Sequence, residues 1–115
     1  MRRVEVLLPP AKLDEVRESL AAIGVDSMTL AEVKVVDPAS RRSEVFRGSN
    51  YVVDFTLKVK MGLLVQEGLL PGILDALRTS LGPAEADETE VLLSEVVEIV
   101  RLRVRLQAGA KSSLS

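Results

Sequence analysis

Between Val53 and Val65 the chain alternates without a break. Val53, Phe55, Leu57, Val59, Met61, Leu63 and Val65 take every second place, and Asp54, Thr56, Lys58 and Lys60 stand among them. Successive side chains of a strand point to opposite faces, so the pattern predicts one long strand with a buried face and a mostly polar face. The other elements have to arrange themselves around it.

Arg2–Leu8 reads as a short first strand, ended by Pro9-Pro10 because proline donates nothing to a ladder. Pro10 suits the first turn of a helix, where its missing donor is harmless. Leu13, Val16, Leu20 and Ile23 then recur at steps of three and four, and Gly24 stops the helix. A second strand is predicted from Ser27 to Val36. Residues 37–50, with Asp37-Pro38-Ala39-Ser40-Arg41-Arg42 at their start, have no apolar period and form a loop of the length that usually carries function.

Leu70, Ile73, Leu74, Leu77 and Leu81 mark a second helix over Leu69–Leu81, closed by Gly82-Pro83. Gly82–Glu90 reads as a loop with four acids and no base. A last strand is predicted over Val91–Leu106, its end alternating Arg101, Arg103 and Arg105 with Val100, Leu102 and Val104. The order is βαββαβ, an α+β, ferredoxin-like arrangement with an antiparallel sheet and two helices on one face. Residues 1–106 form one domain on this reading, with a protruding loop at 37–55 and a flexible tail at 107–115.

Composition removes many functions. With no Cys and no His there is no disulfide scaffold, Cys/His zinc site, thiol nucleophile or Ser-His-Asp triad. No carboxylate pair has the spacing of acid–base catalysis, so the expectation is a protein that is not an enzyme and holds no metal. The start lacks the apolar stretch of a signal peptide, and no run approaches the ~20 apolar residues of a membrane span. A cytoplasmic protein follows, without membrane insertion. Net charge is −2 with scattered bases, which argues against nucleic acid as a partner. Apolar residues make up 47% of 115, more than so short a chain needs for its own core, a hint of a subunit interface.

Several separated pieces resemble the PII (nitrogen-regulatory) signal-transduction family. They are Lys12-Leu13-Asp14-Glu15-Val16, Gly24-Val25, Met28-Thr29, Glu32-Val33-Lys34, Glu44, Arg47-Gly48, Tyr51-Val52-Val53-Asp54-Phe55, Lys58-Val59-Lys60 and Val100-Arg101-Leu102-Arg103. They stand in register and only the tail falls outside them. The resemblance implies a homotrimer with nucleotide clefts between subunits, and a loop (37–55 here) that docks on a regulated protein such as a membrane transporter or metabolic enzyme. It implies competition of ATP and ADP for the clefts, and recruitment of 2-oxoglutarate by Mg-ATP.

Carried over residue by residue, Thr29 matches an adenine contact and Leu64 a contact to the ring. Arg101 and Arg103 match phosphate-binding arginines, whose planar forks suit phosphate oxygens. Lys58 matches the lysine that receives the 2-oxoglutarate carboxylate. Tyr51 and Ser49 match positions that relatives modify by uridylylation or phosphorylation. Lys58 and Lys60, read without the resemblance, protect a strand and keep it solvated.

Two departures matter. Pro83-Ala84-Glu85-Ala86-Asp87-Glu88-Thr89-Glu90 stands where the family has a Gly-rich stretch leading to a lysine. Like charge at ~4 Å costs about 4 kcal/mol at an effective dielectric near 20. The lost lysine contact forfeits a further ~1.5–3 kcal/mol. Discounted for side chains that turn away, the sum still weakens polyphosphate binding by about two orders of magnitude. Ala39 replaces a magnesium-holding Gln and offers no oxygen. The expectation is a regulator that requires no cofactor and takes ADP, AMP or weakly bound ATP, or a small anion at Lys58. The alternative is a trimeric adaptor that works without a ligand.

Overall fold

The computed structural model describes residues 1–36 and 55–103. Loop positions 37–54 and the tail therefore lie outside it, and with them Ser49, Tyr51, Val53 and Asp54. In chain order the elements are β1 (Arg2–Leu8), α1 (Leu13–Ala22), β2 (Thr29–Val35), β3 (Thr56–Val65), α2 (Leu70–Leu81), α3 (Pro83–Asp87) and β4 (Val91–Glu95). Single 3-10 turns, Pro10–Lys12 and Glu67–Leu69, lead into α1 and α2.

The sheet order is β2-β3-β1-β4, with every neighbouring pair antiparallel. Each long helix joins two strands that are separated by a third. This is the ferredoxin-like arrangement anticipated from the periodicities. Register puts Val6 opposite Met61 and Val4 opposite Leu63. These residues, with Leu8 and Val65, point to the helices, where Val16 and Leu20 of α1 and Ile73, Leu77 and Leu81 of α2 close the core. Ser19 of α1 and Ser80 of α2 meet through a 2.6 Å hydroxyl–hydroxyl hydrogen bond at the edge of that contact. Gly82, at φ +85°, turns the chain out of α2 through a region that costs any side chain.

Three expectations need correction. The alternating face of β3 is buried only from Val59 onward; Phe55 and Leu57 are about half exposed. The strand outruns the helices that cover it. Residues 83–87 are helical, where a loop was anticipated. Ala86 N–H donates to Gly82 O at 2.9 Å, and the Thr89 hydroxyl donates to Glu85 O at 2.7 Å. The last strand ends at Glu95, well before Leu106. Its partner β1 pairs Arg2 with Glu95, and the final ladder bond is Val96 N–H to Met1 O at 3.1 Å.

Candidate functional site

The face of the sheet away from the helices carries the polar half of each alternation. Arg3, Glu5 and Leu7 lie beside Leu64, Gly62 and Lys60 on β3, and Gly62, Lys60 and Lys58 beside Thr29, Ala31 and Val33 on β2. Leu92 and Ser94 extend the face on β4 through Glu5 and Arg3.

Thr29 opens β2, and its hydroxyl leans over β3 to donate to Gly62 O at 3.5 Å. A Cβ on residue 62 would sit 2.8 Å from Thr29 Oγ1, so the glycine leaves Thr29 its place. Leu64 follows two residues on, more than half exposed. These two expected ring contacts therefore share one end of the open face. Lys58 lies at the other end. Four residues of strand separate it from Gly62, about 13 Å, and six separate it from Leu64, about 20 Å.

Around Lys58 the structure forms a groove of about 590 Å³. Lys58, Lys60 and Lys34 supply its cations, and Glu5, Glu85, Glu88 and Glu90 its carboxylates. Lys60 Nζ reaches Glu5 Oε2 at 3.3 Å, and Arg3 Nη2 shares that oxygen at 2.7 Å. Lys34 rests its ammonium over the Phe55 ring, 4.8 Å from the centroid. Lys58 Nζ faces Glu85 Oε2 of α3 at 3.9 Å. One net negative charge thus lines the groove.

Arg101 and Arg103 are exposed and belong to no strand, eight residues or fewer beyond the end of β4. Within one copy of the chain they stand outside the residues lining the groove. Gly62, Glu5 and Leu92 went unnoticed in the sequence. Only the strand register brings them beside Thr29 and Lys60, although the Arg3-Glu5-Leu7 alternation carried a signal for Glu5. Among the described residues, no group of three acidic, His or Cys side chains is placed to hold a metal ion, and no helix is long and apolar enough to cross a membrane.

An α+β ferredoxin-like protein with a charged groove on its uncovered sheet face is the class that fold and site define. Comparison with known proteins makes it specific. The description "Nitrogen regulatory protein P-II" matches residues 1–105. Proteins of that name are similar over most of their length. The one from Bradyrhizobium diazoefficiens is 31% identical over 103 residues, covering 90% of this chain and 92% of the relative. The one from Mesorhizobium japonicum is 32% identical with the same coverage. "Nitrogen regulatory protein P-II 1" of Escherichia coli strain K12 is 30% identical, again over 90% and 92%. The chain belongs to the nitrogen regulatory protein P-II family and is a signal-transduction regulator of that type. Trimeric assembly is the norm of the family.

Proposed function

We propose that this chain is a cytoplasmic, non-enzymatic regulator that assembles as a homotrimer and senses an adenine nucleotide or small anion in clefts between subunits. Through loop 37–55 it controls a protein partner, a transporter or metabolic enzyme of nitrogen or carbon metabolism. The observation that carries the reading is the separation of Thr29 and Leu64 from Lys58 along one open face. A ligand that needs both ends meets them most readily when a second copy brings its Thr29 end to the first copy's Lys58 end. Leu64 and Leu92 on this face, and Val97, Val100 and Leu102 beyond β4, are exposed in the single chain and supply apolar surface for such contacts.

The groove does not fit the triphosphate of ATP as the resemblance would have it held. Residues 83–87 form a short acidic helix, and residues 83–90 lack the glycines that would let backbone N–H groups cradle phosphate. The groove's donor set suits a smaller or less charged anion, with ADP, AMP and weakly held ATP as the nucleotide candidates and Arg101 and Arg103 of a neighbouring copy as phosphate contacts. Tyr51 and Ser49 keep their place as candidate modification positions on the loop.

Titration calorimetry against AMP, ADP, ATP and bicarbonate tests the sensing half. The expected result is saturable heat with at least one of them, weaker for ATP than for ADP or AMP. Flat traces with all four would reject it.

A further inference from the structure

From the contact between α3 and β3 we infer that Glu85 is a built-in competitor for Lys58: the chain supplies its own carboxylate to the lysine, and an anionic ligand must displace it. This deepens the sensing reading above and rests on it. Acidic side chains near a groove usually swing into solvent, and a loop carrying Glu85 would let it do so. Here the residue sits on a helical turn fastened at both ends. Gly82 O accepts from Ala86, Glu85 O accepts from Thr89, and Ala86 packs against the core. Lys58 comes from β3, an inner strand of the sheet, near the end of the open face that α3 approaches. The two side chains are 25% and 35% exposed, so water only partly screens their attraction.

The remaining cations of the groove have other partners. Lys60 faces Glu5 and Lys34 lies on Phe55. Lys58 is then the cation a ligand carboxylate or phosphate would use, and Glu85 is the group already using it. At 3.9 Å the pair is an ion pair without a direct hydrogen bond, which leaves the lysine's donors open to a ligand oxygen that comes closer. Glu85 thus sets the charge selectivity of the site. It raises the concentration at which an anion is sensed, and disfavours ligands in proportion to their charge.

The test measures binding of 2-oxoglutarate, ADP and ATP by calorimetry to wild type, Glu85→Gln, Glu88→Gln and the double variant Glu85→Gln/Lys58→Met, each confirmed folded by thermal melting. Glu88 lines the groove but makes no ion pair among the described residues, so its variant removes the same charge without freeing Lys58. E85Q is expected to tighten at least one anion by about fivefold or more, the size of a partly screened charge contact. E88Q should change binding by less than about twofold, and the E85Q gain should vanish with K58M. Equal gains for E85Q and E88Q, no gain for either, or a gain that survives K58M would overturn the inference while leaving sensing intact. Absence of binding by every variant would overturn the sensing reading, and the inference with it.

Discussion

The two faces of the sheet are built from the same strands, one residue out of step, and they have opposite fates. On the helix side Val4, Leu8 and Met61 are wholly enclosed. On the other side Leu64 and Leu92 stand more than half exposed, among lysines that pair with glutamates of β1 and α3. The first face is finished by the chain's own helices. The second is left open with a groove, which is what a protein needs if another copy or a ligand is to complete it. Alternate residues of one strand are thereby divided between the core and the open face. A one-residue slip of β3 would exchange them.

The contrast is most easily broken from the buried side. Ile73→Ala should destabilise the fold by about 3 kcal/mol, since it removes a fully enclosed side chain from the first turn of α2. Urea denaturation checks this, and a cost below about 1 kcal/mol would mean that the helix layer is loose.

Leu92→Asp asks the complementary question of the open face. It should leave the far-ultraviolet circular dichroism spectrum unchanged but shift the protein toward lower mass at micromolar concentration. Light scattering after size exclusion reads the effect. An unchanged mass would place the contacts between copies elsewhere.

A smaller effect is expected where α1 meets α2. Ser19→Ala leaves the Ser80 hydroxyl, only 8% exposed as a residue, without its partner and should cost about 1 kcal/mol. Adding Ser80→Ala should recover most of that loss. Denaturation midpoints of the two variants decide it.

The smallest change belongs to the partly exposed Arg2–Glu67 pair, 3.1 Å long at the start of β1. Glu67→Gln should move stability by less than about 0.5 kcal/mol. A larger shift in the same denaturation assay would show that this contact matters more than its exposure implies.

Much of this division was legible in the sequence because period and punctuation are local signals. Val59 to Val65 alternated as they do in β3, the stripe Leu13–Val16–Leu20 marked α1, and Gly24 and Gly82 stopped their helices at positive φ. What escaped depended on neighbours. The strand after Glu95 failed because its antiparallel partner begins at Arg2, which no local pattern around Arg101 can reveal. The exposure of Leu57 reflects the length of the helix layer, not its own alternation. The helix at 83–87 is too short for a period, and its acidic composition hid the structure that aims Glu85 at Lys58. The positions of Thr29, Leu64 and Lys58 along the open face were fixed by register, and so had to await the sheet.

The central claim, that the open face is completed by further copies of the chain, is tested most directly by sedimentation equilibrium of the 115-residue chain over a wide concentration range. The account predicts a particle of three times the 12.5 kDa chain mass that persists to low micromolar concentration. A particle of single-chain mass throughout would contradict it.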